Sequence, residues 1–270
     1  EYVSKALLPR IYGFELMMAP YVITDIKLTL KLTEISRTLG ELFYRNVGKV
    51  RFNIFLTNSL EGPTQTADKK LADMFTPLAH ESLSVNEIKR NKNFQIIIGN
   101  PPYSVNSNNK SEWIGELMVD YKKDMNERNI QPLSDDYIKF IRFGQYFIDK
   151  NKSGVLAYIT NNSLLDGIIH RQMRKNLLES FNNINILNLH GNLKINEVCP
   201  DGSPDHNVFD IMQGVSINIF VKKIKKKKTE LGQVFSFDLQ CNRDSKYDFL
   251  NGNCVNSVKW ECLNFTKPNY

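Results

Sequence analysis

Phe94-Gln95-Ile96-Ile97-Ile98-Gly99-Asn100-Pro101-Pro102-Tyr103 decides how the rest of this chain is read. A run of apolar, β-branched residues reads as a buried strand, and it stops abruptly at Asn-Pro-Pro-Tyr. Each proline fixes φ and removes a backbone donor, which leaves ordered carbonyls free to accept. Asn100 adds a side-chain amide oxygen as a second acceptor, and Tyr103 adds an aromatic face. Acceptors, rigid backbone and a flat ring suit a site that grips a planar amine and presents it to an electrophile. The plainer reading, a Pro-rich turn with an exposed Tyr, is weakened by the Ile-rich strand directly before it.

Moving outward, apolar runs bounded by turn residues alternate with longer amphipathic segments, the pattern of a parallel sheet with crossover helices. Strands are expected at residues 11–16, 50–57, 94–98, 154–160, 184–190 and 215–221. Their Ile, Leu and Val content without strict alternation fits strands buried on both faces. A helix is expected over 20–36, where Ile23, Ile26, Leu30 and Ile35 recur at helical spacing. Another is expected over 134–150, with Ser134 as N-cap and Asp135 and Asp136 in the first turn, and a third over 170–181. No internal repeat is visible. After Val221 the lysines Lys222, Lys223, Lys225, Lys226, Lys227 and Lys228 crowd a short stretch. Residues 229–270 then turn polar and Asn-rich, reading as the opening of a second domain.

Composition sets outer limits. The 270 residues have room for one large α/β domain or one domain and part of another. Hydrophobic residues at 41% and charged residues at 24% are ordinary for a globular chain. The apolar stretches are strand-sized, far short of the roughly 20 residues of a membrane helix. Cys199, Cys241, Cys254 and Cys262 lack CxxC spacing, so neither a disulfide framework nor a zinc site is expected, and a reducing cytoplasm fits. The histidines stand too far apart to suggest a ligand pair, and no metal is expected. A formal charge of +6 leans toward a polyanionic partner, and the lysine run is a candidate phosphate contact or a solvated linker.

The Asn100–Tyr103 tetrapeptide resembles the catalytic motif of S-adenosylmethionine-dependent amino-methyltransferases, most of which methylate adenine N6 in DNA. Three further blocks narrow the resemblance. They are Tyr12-Gly13-Phe14-Glu15-Leu16 with Ala19-Pro20-Tyr21, the segment from Gly154 to Ser163, and His206-Asn207-Val208-Phe209-Asp210-Ile211 before Gly214-Val215. Together they are similar to the methyltransferase segments of the type ISP and type IIG restriction-modification enzymes, over about residues 1–223. The resemblance implies a Rossmann-like α/β sheet, mostly parallel with the last strand antiparallel. It implies S-adenosylmethionine as cofactor, with Glu15 on the ribose hydroxyls, Leu16 against the adenine and Asn58 facing the adenine amine. Asn100, Pro101, Pro102 and Tyr103 become catalytic, double-stranded DNA becomes the partner, and a flipped adenine would lie between Tyr103 and Phe209. Asn161 and Asn162 could line the same edge, although Asn is also a common turn residue.

Two departures shape the remaining expectations. No G-x-G occurs anywhere, although the family's cofactor loop is Gly-rich and lies upstream of the Gly-Phe-Glu block. The expected organisation is therefore a methyltransferase domain over 1–223, incomplete at its N-terminus and lacking its central first strand. A basic linker and the start of a target-recognition domain would occupy 224–270. The missing segment, with its glycine loop and any nuclease or translocase, would be a partner. Methylation of a protein glutamine or an rRNA base is an alternative, as is an inactive piece that only binds DNA. Cytosine-C5 chemistry needs Pro-Cys, and the chain has only Cys199-Pro200, in the wrong order.

Overall fold

Gly99 shows how the sequence dictates the local architecture. A Cβ at Gly99 would sit 3.0 Å from the ring of Tyr158 on the neighbouring strand. A Cβ at Gly144 would meet Leu156 Cδ1 at 2.5 Å and Tyr158 Oη at 3.3 Å. Tyr158 thus lies under Gly99 and beside Gly144, and a larger residue at either position would displace it. The computed structural model describes residues 3–39, 52–63, 76–224 and 230–264. The chain divides after Lys92 into two compact units.

The first unit contains strands β1 (Tyr12–Glu15) and β2 (Asn53–Leu56), paired in parallel with Glu15 opposite Leu56. Helix α1 (Met18–Leu39) packs on them, and α2 (Thr76–Asn91) packs on β2. Pro20 falls in the first turn of α1, where its missing N–H costs nothing. One core cluster here is Leu8, Leu32, Phe52 and Ile54, with Tyr21 and Leu28 against it, and Phe55, Leu60, Val85 and Ile88 are buried as well. The stripe that predicted the helix, Ile23, Ile26, Leu30 and Ile35, is exposed instead of facing that core.

The second unit holds a six-stranded sheet in the order β3-β4-β6-β5-β7-β8. Its strands are β3 (Ile96–Gly99), β4 (Gly154–Asn161), β5 (Asn183–Asn188), β6 (Val215–Lys222), β7 (Gln233–Asp238) and β8 (Glu261–Leu263). Strands β3, β4, β5 and β7 run one way, with β6 antiparallel between β4 and β5 and β8 antiparallel on β7. The expected antiparallel strand after residue 215 is therefore present, inserted into the sheet.

Side-chain alternation assigns the two faces. Ile159, Ile217, Leu187 and Phe237 stand opposite one another in register across four strands. They pack with Phe249, Leu250 and Trp260 around a core of Leu187, Leu189, Val208 and Val215. The other face carries Leu156 and Phe220 and is covered by α4 (Asp136–Asn151), which packs with α3 (Glu112–Lys122) and α6 (Arg171–Ser180). Between β4 and α6 lie a short helix, α5 (Ser163–Asp166), and a 3-10 turn (Ile168–His170).

One expectation changes. Ser134 ends a 3-10 turn, and Asp135 takes the N-cap position of α4. The Asp135 carboxylate is used elsewhere, accepting from the Ser104 amide at 2.7 Å. The segment after the lysine run adds strands to the six-stranded sheet. Strand β7 pairs with β5 over its whole length, and helix α7 (Arg243–Gly252) contributes Phe249 and Leu250 to the sheet's core.

Candidate active site

The four strands that run together all end on one edge of the six-stranded sheet, and the polar residues of interest follow those ends. In such sheets the carboxyl edge is where ligands bind. Asn100 follows β3 and is exposed, Pro101 is buried, Pro102 is exposed and Tyr103 is half-buried. Tyr103 meets Tyr137 edge-on, with ring centroids 5.8 Å apart at 88°. Its hydroxyl is buried without a hydrogen-bond partner. Burial, reinforced by the charge of Asp135, pushes that phenol up to about 12. The chain after Tyr103 is pinned by α4: the Ser104 amide donates to Asp135, and the Asp136 amide donates to the Ser104 carbonyl at 3.2 Å. Ser107 and Asn109 then donate to the Asp136 carboxylate at 2.5 and 2.9 Å.

Phe209 lies in the loop that leads into β6, at the same edge. It is half-buried and packs against the Leu187–Val215 core, and Tyr103 packs against that core too. The structure thus brings the two proposed stacking residues to one apolar cluster. The Phe209 amide donates to Asn207 Oδ1 at 2.8 Å, while Asn207 Nδ2 donates to the Gly191 and Gln213 carbonyls. Behind the loop, Asp205 and Lys246 form an ion pair with no exposed surface at 2.8 Å.

Between these points the edge is lined with amides. Asn161 Oδ1 accepts from the Ser163 amide and hydroxyl, which is a turn role. Asn162 Nδ2 donates to Asn188 Oδ1 at 2.7 Å, and Asn188 Nδ2 donates to Asp238 at 2.9 Å. His190 bridges Asp238 and Glu197 at 2.8 and 3.1 Å. Sequence reasoning missed His190 and Asp238, which only β7's place in the sheet brings together. A cavity of about 530 Å³ lies beside the loop after Tyr103, lined by Ser107, Lys110, Met118, Lys122 and Lys139 among others. It includes none of the residues expected from the sequence.

In the first unit, Glu15 ends β1 and Asn58 follows the adjacent parallel strand β2. Glu15 Oε1 accepts from the Met17 amide at 3.0 Å, which holds the carboxylate at the strand end, and Leu16 beside it is exposed. Asn58 is more committed than its sequence suggested. Its Oδ1 accepts from the Leu60 amide at 3.0 Å and its Nδ2 donates to Glu61 at 3.3 Å. Lys89 was missed altogether. Its ammonium donates to the Asn58 and Glu61 carbonyls at 2.7 and 2.8 Å and sits over the Phe14 ring. Desolvation brings Lys89 down to about 8, against an opposing pull from Glu61. Its partners are backbone carbonyls, so no sequence motif marked it.

Of the lysine run, Lys222 and Lys223 lie among the described residues. Lys222 pairs in register with Gly154, at the edge opposite Asn161, and its ammonium is engaged by Asp149. The Lys223 amide donates to Asn182. Lys225, Lys226, Lys227 and Lys228 lie outside the described residues. Among the described residues, no helix is long and apolar enough to cross a membrane.

Comparison with known proteins agrees with this architecture. The chain superimposes on the ATP-dependent Type ISP restriction-modification enzyme LlaBIII bound to DNA with a TM-score of 0.74 and 26% identity, covering 96% of this chain and 17% of that one. A nuclease-deletion mutant of the Type ISP enzyme LlaGI in complex with a DNA substrate mimic gives 0.74 at 23% identity, over 96% and 24%. The DrdV–DNA complex gives 0.70 at 21%, over 94% and 24%. At those identities the last two speak for the fold alone. The chain therefore spans about a sixth to a quarter of these structures' length. No curated protein matches by sequence. The pattern of the Eco57I restriction-modification methylase family covers residues 10–195, from β1 through β5, and takes in the Asn100–Tyr103 turn. On that match the chain belongs to the Eco57I restriction-modification methylase family.

Proposed function

We propose that this chain is the methyltransferase segment of a restriction-modification enzyme that transfers a methyl group from S-adenosylmethionine to adenine N6 in double-stranded DNA. The observation that carries the reading is the placement of Asn100-Pro101-Pro102-Tyr103. The turn closes β3 at the carboxyl edge, and its Tyr103 shares one apolar cluster with Phe209. Adenine N6 is a weak nucleophile because its lone pair is delocalised into the ring. Asn100 Oδ1 and the Pro101 carbonyl accept hydrogen bonds from the amine, draw it toward tetrahedral geometry and aim the lone pair. Tyr103 and Phe209 present surfaces for the extrahelical base. Direct displacement then needs orientation and charge stabilisation, without a covalent intermediate.

The residues fit the cofactor's nucleoside half. Glu15 offers a carboxylate held at a strand end, and exposed Leu16 offers an apolar contact for a purine. Asn58 remains a candidate through its exposed-side amide, although its turn bonds limit its freedom. S-Adenosylmethionine supplies an activated methyl on a sulfonium. The residues for its methionine half are assigned to a glycine-rich turn on a further strand of the same enzyme. Support comes from β3, which pairs only with β4 among the described residues and leaves Ile96 68% and Ile98 76% exposed. An apolar, one-sided strand is a place for another strand to add. Nuclease or translocase activity would belong to other segments.

The test is transfer from labelled S-adenosylmethionine to unmethylated duplex DNA, followed by nucleoside digestion. N6-methyladenine is the expected product. Label recovered only in a protein glutamine or in rRNA would replace the substrate, and no label in any acceptor would overturn the reading.

A further inference from the structure

We propose that helix α7 is the positioning device for Phe209, holding the loop at residues 206–209 by its consecutive carbonyls. Lys246 Nζ donates to the His206 carbonyl at 2.7 Å, and Arg243 Nε donates to the Asn207 carbonyl at 2.7 Å. Tyr247 Oη donates to the Val208 carbonyl at 2.7 Å, and Arg243 Nη2 donates to the Phe209 carbonyl at 3.1 Å. Arg243 Nη1 also meets the Asp210 carboxylate at 2.8 Å. Four successive peptide units outside any strand thus take their acceptor bonds from three side chains of one helix.

The arrangement goes beyond what anchoring α7 requires. Phe249 and Leu250 already bury the helix against the sheet, and Phe237 and Phe249 stack at 5.4 Å. The cations instead address the loop, where each fixed carbonyl restricts the adjoining ψ and the origin of the next side chain. Asp205 fixes the near end of the loop. It pairs with Lys246 in full burial and accepts from the Gly191 and Cys241 amides at 2.6 and 2.8 Å. Asn207 Oδ1 then fixes the Phe209 amide from within. The consequence for function rests on the reading of Phe209 as a wall of the target-base pocket. A stacking surface contributes to transfer only while its ring stays in place, and small misplacements of a reacting group can cost a hundredfold in rate. Helix α7, beyond the lysine run, would then be part of the methyl-transfer apparatus.

Lys246 is a poor test site, since removing it strands a buried carboxylate. Arg243→Gln and Tyr247→Phe lie at the helix surface and delete donors while keeping bulk. The experiment is a double-mutant cycle in the whole restriction-modification enzyme, reading kcat for N6-methyladenine formation with thermal unfolding as control. The Arg243→Gln/Tyr247→Phe variant should lose about tenfold in kcat with its unfolding midpoint nearly unchanged. Phe209→Ala should lose at least as much, and combining the two should lose no more than Phe209→Ala alone. Multiplicative losses, or wild-type kcat in the helix variant, would overturn the inference. A silent Phe209→Ala in an active enzyme would overturn it too, while leaving the methyltransferase reading intact. An inactive wild-type enzyme would remove both. Should the helix variant fail to unfold cooperatively, Tyr247→Phe alone carries the same cycle: a loss absorbed by Phe209→Ala supports the inference, and a multiplicative loss overturns it.

Discussion

The two units treat their apolar residues in opposite ways. In the second unit the central strands are covered on both faces, so Leu156, Phe220 and Val215 are essentially solvent-free, whereas Ile96 and Ile98 on the edge strand β3 stay exposed. In the first unit two strands offer too little surface for a long helix. Leu30 is 63% exposed, as are half or more of Ile23 and Ile26. A two-stranded sheet is at best marginal alone, and three or more strands or a covering layer are needed. The difference teaches that the apolar cluster behind Tyr103 and Phe209 is well covered, whereas the candidate nucleoside contacts stand on a framework with more uncovered surface.

The largest expected effect separates the roles of those units. Asn100→Ala in the second unit should lower kcat about a thousandfold, comparable to removing one oxyanion-hole donor, with DNA affinity changed a few-fold at most. Glu15→Ala in the first unit should instead raise the KM for S-adenosylmethionine and spare kcat more. Steady-state kinetics with labelled cofactor measure both. If Asn100→Ala changed KM alone, the assignment of chemistry to the second unit would fail.

A smaller effect concerns pH, and it belongs to the second unit only. His170 is 3% exposed, and neither ring nitrogen has a hydrogen-bond partner. Burial, with a contribution from the positive charge of Arg174, brings it from 6.5 down to about 4. Because the folded form binds the proton less readily than the unfolded form, the stability is complete above pH 6.5. It is lost as pH falls through about 4, where the folded histidine must charge. The loss should be on the order of 2–3 kcal/mol. Urea midpoints between pH 7 and pH 4 measure it, with His170→Phe flattening that part of the acid limb. An unchanged limb in the variant would mean that other groups set the acid sensitivity.

What the sequence disclosed follows from how local each signal was. The six expected strands through residue 221 exist within a few residues, because Ile, Val and Leu runs mark strands, although β3, expected to be buried, leaves Ile96 and Ile98 exposed. The Asn100–Tyr103 turn was legible because its backbone chemistry is written in adjacent residues. Residues 229–270 read as the opening of a second domain, and the pairing of residues 233–238 with β5, some 50 positions earlier, has no local signature. Ile23, Ile26 and Leu30 predicted a helix correctly and its buried face wrongly, because periodicity says nothing about which neighbour covers a stripe. Lys89, Arg243 and Lys246 were silent for a related reason. They serve carbonyls some 30 to 40 positions away in sequence, and carbonyls have no residue signature.

Tyr103 sharpens the comparison at a lower magnitude. Its ring joins the second unit's apolar cluster, while its hydroxyl is buried without a partner. Tyr103→Phe should therefore be close to neutral in kcat and stability, since an unsatisfied group is removed. Tyr103→Ala should cost about 1–3 kcal/mol of stacking in the flipped-base complex. Single-turnover methylation resolves the two variants. Equal damage from both would transfer the role from the ring to the hydroxyl.

The smallest expected effect tests the uncovered face itself. Leu30→Gln exchanges residues of similar helix propensity at a position 63% open to solvent. In this chain it should shift stability by no more than about 0.5 kcal/mol, the range of ordinary surface substitutions. Chemical denaturation followed by circular dichroism measures the shift. A loss above about 1 kcal/mol would mean that Leu30 is buried in solution, and the contrast between the units would then disappear. The same substitution in a longer enzyme distinguishes the origins of the exposure. If further segments cover α1 there, Leu30→Gln becomes costly in that context alone, because burial that was absent is then removed with the side chain. If it stays neutral in both, the stripe is a solvent-facing feature of the helix, and the first unit's stability must come from its buried residues, among them Leu8, Leu32, Phe52, Ile54, Leu60 and Val85.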